Sequence, residues 1–258
     1  MPEYNYQIHS NIKNIAPILN ELEAKWKGFG IDEKIIFQLR LSTEELIVNA
    51  IKHGNKSCEE LLIKIVCRIF ADKIELEIVD KGSGFDHASL PNPTAKENLE
   101  KRSGRGVFLV KQFMDKIEFL EGGRRIKIIK ITDIRDISNT AEMPKEGKMI
   151  ISKEVTGNIT ICKIDGEINI DNSYELRKTF EDLTKEGSRK VIVNFSALNY
   201  IDSSGLATLI EMFQRLKKID GALRICSLND KVKSVFEITK LNTLFPVYDS
   251  LESAQEGF

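Results

Sequence analysis

Between Asp136 and Lys148 the sequence reads DISNTAEMPKEGK, a stretch with no apolar period that contains Pro144 and Gly147. A segment of this kind has no apolar face to bury, so it reads as a linker rather than as part of a packed core. The chain on either side is patterned, and each side is long enough to bury a core of its own. For a chain of 258 residues, two domains are expected, at residues 1–135 and 150–258, with a linker at 136–149.

The two sides carry different patterns. Before the linker, residues 4 to 9 read as a strand, and IAPILNELEAKW spaces Ile15, Ile18, Leu19 and Leu22 at helical intervals. A second helix is expected from Ile31 to about His53, with Asp32 and Glu33 in its first turn, Ile35, Ile36, Leu39, Leu46 and Ala50 along one face, and Gly54 as its stop. LLIKIVCRIF and KIELEIVD predict a hairpin around Ala71 and Asp72, followed by a helix from about Arg105 to Met114 and two strands in KIEFLEGGRRIKIIKIT. The expected first domain is a sandwich, with helices on one face of an antiparallel-dominated sheet. Beyond the linker, strands and helices alternate. MIISKEV, ITICKIDGEI, KVIVNF and ALRICSL read as strands, while SYELRKTFEDLTKEG, LATLIEMFQRLKKID and VKSVFEITKL read as helices. That order predicts a separate αβ domain with a mixed sheet, so the fold class of the whole chain is α+β.

Composition narrows the function. The 38 basic and 39 acidic residues leave a net charge of −1, with no basic footprint for nucleic acid or for a membrane surface. No run approaches the roughly 20 apolar residues of a membrane span, and MPEYNYQIHSN lacks the apolar core of a signal peptide. Cys58, Cys67, Cys162 and Cys226 show no metal-binding spacing, and three of them sit in apolar runs, as buried free thiols do. The expectation is a cytoplasmic protein with neither a nucleic-acid nor a membrane partner.

Three groups of residues in the first half carry chemistry. Glu45 and Asn49 lie four apart on the second helix, share a face, and can supply a general base and an oxygen ligand for Mg²⁺. In IVDKGSGF, Asp80 ends an apolar strand and can accept a hydrogen bond from an exocyclic amine, while Gly82 and Gly84 let backbone approach a flat base. In SGRGV, Gly104 and Gly106 flank Arg105 at a helix start, where backbone N–H groups and the helix dipole attract phosphates. Singly, the first pair reads as an ordinary solvated helix face and each glycine pair as a turn; their order carries the information.

That order resembles the GHKL (Bergerat) ATPases, and within them the bacterial anti-sigma serine kinases. EELIVNAIKHGNK is similar to their N-box, and ENLEKRSGRGVFLVKQFMD to their second glycine box and preceding lid, a resemblance covering about residues 4 to 133. It implies ATP and Mg²⁺ as cofactors, Glu45 as the base that activates an acceptor serine, Asn49 as the Mg²⁺ ligand and Asp80 as the adenine contact. It further implies that Gly82, Gly84, Gly104, Arg105 and Gly106 shape the pocket, that a lid runs roughly from Asp86 to Ser103, and that Arg102 lies near the phosphates or the partner. The chain departs from the family at Gly123-Arg124, where a Gly-Thr pair is common. His9, His53 and His87 have no spacing suited to a phosphohistidine, so serine chemistry is favoured.

In the second half, LNYIDSSGLATLIEMF runs an apolar strand into Asp202, Ser203, Ser204 and Gly205 and then into a helix. The residue types suit a helix cap. The wider pattern, with ITICKIDGEINIDNSYELRKTF, resembles the STAS domain of anti-sigma factor antagonists over roughly residues 150 to 257. The resemblance implies Ser203 as a phosphoacceptor; a phosphate there would bring about −1.5 to −2 charges beside Asp202 and alter a partner interface. Asn169 stands where members often have Asp. Together the resemblances imply a kinase fused to its substrate, controlling a sigma factor or sigma-like regulator, with a separate STAS antagonist, a phosphatase and homodimerisation through the kinase domain as further partner expectations. A linker of about 13 residues spans roughly 20 Å, enough to hold the two halves at millimolar effective concentration. A non-catalytic nucleotide-binding scaffold that docks partners through its second domain is the alternative.

Overall fold

The computed structural model describes residues 1–84, 93–98, 105–132 and 149–258. Of these, 1–84 and 106–132 form one compact unit, and 93–98, Arg105 and 149–258 form a second. The expected linker lies outside the described residues except for Met149.

In the first unit the elements are β1 (Glu3–His9), α1 (Ile15–Gly28), α2 (Glu33–Asn49), β2 (Leu62–Ile69), β3 (Lys73–Val79), α3 (Arg105–Phe113, all but its first residue in this unit), β4 (Lys116–Leu120) and β5 (Arg125–Ile131). The strands form one sheet in the order β1-β2-β3-β5-β4, with every neighbouring pair antiparallel. Side chains alternate across it. Ile63, Ile65 and Cys67, Ile74, Leu76 and Ile78, and Ile126 and Ile128 are buried along one face. The other face carries an ion-pair ladder in which Arg68 meets Glu3 at 2.6 Å, Arg125 meets Glu77 at 3.2 Å and Lys127 meets Glu75 at 2.9 Å. The buried face is covered by helix residues at 3.6-residue spacing, including Ile15, Leu19, Leu22 and Trp26 of α1 and Leu109, Val110 and Phe113 of α3.

The central helix differs from its sequence pattern. Instead of one apolar face, α2 is buried continuously from Leu39 to Ile47, with Glu44 and Glu45 inside that span. It is capped by Asp32, whose carboxylate accepts the Lys34 N–H at 2.8 Å. Nor does the α-helix run to His53. It ends at Asn49, and residues Ala50–Gly54 form a π-helical turn. Widened turns of this kind often mark functional positions, because they re-aim the side chains next to them.

The second unit contains β6 (Ile150–Thr156), β7 (Ile159–Ile168), α4 (Ser173–Lys185), β8 (Lys190–Ile201), α5 (Ser203–Lys217), β9 (Ala222–Cys226), α6 (Asp230–Ile238), β10 (Val247–Tyr248) and α7 (Leu251–Gln255). Its sheet runs β10-β9-β8-β7-β6, parallel except for the antiparallel β6–β7 pair. The mixed sheet and the α+β class are thus as the sequence predicts. β8 is longer than its apolar run KVIVNF suggested. It continues through Leu198, Tyr200 and Ile201, all buried, because β7 keeps pairing with it as far as Ile168↔Ile201. Consequently α5 begins immediately, at Ser203 rather than at Leu206.

Candidate functional site

The end of α2 and the β3 exit meet in the first unit through two glycines, Gly54 and Gly82, and one asparagine, Asn55. Glu45 is 4% exposed, and Asn49, four residues on, is half-buried at the last α-helical position. Past the π turn, Gly54 faces the Asp80 carboxylate so closely that a Cβ at 54 would lie 2.4 Å from its carboxyl carbon. A Cβ on Gly82 would lie 2.1 Å from the Gly54 carbonyl oxygen. Both glycines are therefore required by packing and not only by turn geometry. Asp80 Oδ1 accepts the Gly82 N–H at 2.7 Å. Burial raises the Asp80 carboxyl above its ordinary value, against the lowering effects of that N–H and of the Arg124 charge.

Asn55 locks this junction. Its amide N–H donates to Ser10 Oγ at 2.7 Å, and its carbonyl oxygen accepts the Lys81 N–H at 2.7 Å. Ser10 Oγ in turn donates to the Leu61 carbonyl at 2.7 Å. One buried amide thereby ties β1, the entry to β2 and the Asp80 turn together. Sequence reasoning took Gly54 as a helix stop and passed over Asn55. The available signal was a Gly-Asn pair closing an otherwise apolar helical run.

Gly84 has φ +80°, and a side chain there would run into the Gly122 carbonyl, 2.0 Å from a built Cβ. Gly106, on the first turn of α3, lies against Glu45: a Cβ at 106 would be 2.0 Å from Glu45 Oε2. The structure therefore brings Glu45 and Gly106 together in one place, and Gly54, Asp80 and Gly82 in another. Arg105 is buried at 1% exposure, and burial pushes its guanidinium down to about 10. Arg102, Gly104 and all of the expected lid except residues 93–98 lie outside the described residues. No cluster of three or more His, Cys, Asp or Glu side chains that could hold a metal ion occurs among the described residues. An Mg²⁺ here would need ligand oxygens from a bound phosphate besides Asn49.

In the second unit, Asp202 is the N-cap of α5. Its buried carboxylate accepts the Gly205 N–H at 2.8 Å and the Ser204 hydroxyl at 2.6 Å. Ser203 is half-buried at the first helical position. Gly205 has no room for a side chain, since a Cβ would lie 2.6 Å from Ile168 Cγ2 and 2.7 Å from Ile201 Cγ1. Asn169 and Asp202 each follow one member of the Ile168↔Ile201 pair, so the turn into α4 and the start of α5 leave the sheet side by side. The Asn169 side-chain oxygen accepts the Asp171 N–H at 3.1 Å, and the Asn169 backbone N–H donates to Asn172 Oδ1 at 2.9 Å. An aspartate would accept the same bond, so the asparagine changes charge rather than turn geometry.

No helix among the described residues is long and apolar enough to cross a membrane. Residues 8–130 match the histidine kinase-like ATPase domain family, and residues 151–254 match the STAS domain family. The chain is 30% identical over 105 residues to the "Putative anti-sigma factor antagonist BtrV" of Bordetella bronchiseptica, covering 41% of this chain and 90% of that one. It is 30% identical over 90 residues to the anti-sigma-B factor antagonist of Staphylococcus aureus, covering 35% of this chain and 83% of the relative. A crystal structure described as that of "a putative anti-sigma factor antagonist" from Thermotoga maritima shares 24% identity over 41% of this chain and 92% of its own, with a TM-score of 0.39. In its second half the chain belongs to the STAS-domain anti-sigma factor antagonists, and it joins that domain to a histidine kinase-like ATPase domain, a fold that binds ATP.

Proposed function

We propose that the protein is an ATP-dependent serine kinase of the anti-sigma type, fused to a STAS domain that carries its acceptor, Ser203. The domains would divide at 1–135 and 150–258, with 136–149 between them. The observation that carries the reading is the seating of Glu45 against Gly106 at the start of α3, where a helix N-terminus attracts phosphate. Glu45 would take the proton of the serine hydroxyl. The serine oxygen would then form a bond to the γ-phosphorus as the bond to the β–γ bridging oxygen breaks, and ADP would leave with that electron pair. Asn49 would hold Mg²⁺, which when bound supplies charge neutralisation at the phosphates, and Asp80 would accept the adenine amine in its glycine nest. The half-buried Asn49 and the bare glycine backbones fit such a ligand.

A phosphate on Ser203 would stand at the N-terminus of α5 beside the buried Asp202 carboxylate. The charge would change which partner the STAS surface holds, and through it a sigma factor or sigma-like regulator. A separate STAS antagonist, a phosphatase and a second copy of the chain joined through the kinase domain complete the expected partners.

The test is incubation of the purified full chain with γ-labelled ATP, alone and with a separate STAS protein. Label should enter wild type and be absent from Glu45→Ala, with Ser203→Ala losing the self-label only. A wild type that binds ATP and transfers no label to either acceptor overturns the kinase. That outcome leaves the second reading, a nucleotide-responsive scaffold, which Asn169 favours because it removes a charge beside the acceptor loop.

A further inference from the structure

Arg124 does not sit on the sheet at random. The Asp80 N–H donates to the Arg124 carbonyl at 3.0 Å, extending the β3–β5 ladder one step beyond the Val79↔Arg125 pair. Arg124 lies just outside β5, at the C-cap of the 3-10 turn Glu121–Gly123 with φ −75° and ψ −25°, and its charge acts on the Asp80 carboxyl. The Arg124 stem lies along the bare Cα of Gly84, its Cγ 3.6 Å from where a Cβ would be. The head is about half exposed. Its Nε donates to the Glu121 carbonyl at 3.3 Å, and its ion pair with the Glu121 carboxylate is long, at 3.7 Å. Glu121 is engaged more closely by Arg125, at 2.9 Å. A guanidinium has five N–H donors, so most of this one's capacity is left for a ligand.

We infer that Arg124 is a base-reading residue, which with Asp80 makes an acceptor–donor pair matched to the Watson–Crick edge of adenine. The inference rests on the proposed nucleotide site. Adenine presents its exocyclic amine as a donor beside N1 as an acceptor; Asp80 takes the first and Arg124 supplies the second. Guanine presents an N1–H donor at the position where adenine accepts, so it opposes the guanidinium. The Arg124 charge also favours the ionised, accepting form of Asp80 against the effect of burial.

The test compares ATP with 1-deaza-ATP, which lacks the N1 acceptor, by titration calorimetry on the full chain. Wild type should bind ATP about tenfold or more tightly than 1-deaza-ATP, as expected for a hydrogen bond to a charged donor. In Arg124→Met, which keeps the stem against Gly84 but has no donor, the two nucleotides should bind within about twofold of each other. Circular dichroism checks the fold, and Arg124→Gln serves in its place if the methionine variant does not fold. A wild type that binds neither nucleotide sinks the nucleotide site and the inference with it. A wild type that binds both equally, or a variant that keeps the wild-type ratio, overturns the role of Arg124 alone and leaves the site standing.

Discussion

Gly106 lies against Glu45 so closely that one added methyl would occupy the position of the carboxylate oxygen, 2.0 Å away. The obstacle is the end of a side chain and not backbone, so Gly106→Ala should fold with Glu45 displaced. We expect a fall in melting temperature of about 2–4 °C and a loss of serine phosphorylation of about a hundredfold or more, the scale of a lost general base. Calorimetry and label transfer measured on the same preparation separate the two effects.

Burial disfavours the ionised form of Asp80, so its charge costs the fold stability. Its folded value is raised, chiefly by burial, so the stability linked to it is fully present below the unfolded carboxylate value and lost as pH rises through the folded one. At pH 7 the neutral, isosteric Asp80→Asn should therefore melt higher than wild type. It should also bind ATP at least about tenfold more weakly, because an amide can turn a donor toward the amine. Stability and affinity moving down together would contradict this.

Asn55 has no substitute at its junction. Asn55→Ala leaves the Lys81 N–H without its acceptor and removes the donor to Ser10, so urea unfolding of the first unit should lose about 2–4 kcal/mol. Asn55→Asp keeps the acceptor for Lys81 but has no donor for Ser10, whose hydroxyl is committed to Leu61. It should fall between alanine and wild type.

Asp202 and Ser203 should separate capping from chemistry. Asp202→Ala removes the acceptor for Gly205 N–H and Ser204 Oγ, at about 1–2 kcal/mol. Ser203→Ala should change stability by less than about 1 kcal/mol while abolishing self-phosphorylation. Equal destabilisation by the two would mean that Ser203 is structural.

The acid limb of stability should depend on Glu23. Burial raises its carboxyl, but hydrogen bonds from Lys27 and from Arg40, the latter at 2.6 Å, outweigh burial and hold it below the ordinary carboxylate value. Its contribution is present above the unfolded value and lost as pH falls through the folded one. Glu23→Gln should flatten the acid limb of the first unit's melting curve, whereas Arg40→Met, which leaves the Glu23 carboxylate with Lys27 as its remaining cation, should destabilise at neutral pH by about 2 kcal/mol.

What the amino-acid order determined alone was whatever depends on local periodicity and residue type. The period-2 runs of β2 and β3, the helical spacing of α1, the alternation of strands and helices after Met149 and the ordered glycine motifs carried the α+β class and the two domain families. Tertiary structure decided what depends on neighbours distant in sequence. The burial of Glu44 and Glu45 was not legible, because a helix covered on all sides loses the one-face pattern that betrays it. The π turn at Ala50–Gly54 and the Asn55 lock exist because Ser10 and Lys81, distant in sequence, arrive at the same junction. β8 outran its apolar run because β7 continued to pair with it. Gly54 and Gly106 gained their meaning in the same way. Read along the chain they are a stop and a phosphate turn, and only folding shows that the first must clear the Asp80 carboxylate and the second that of Glu45.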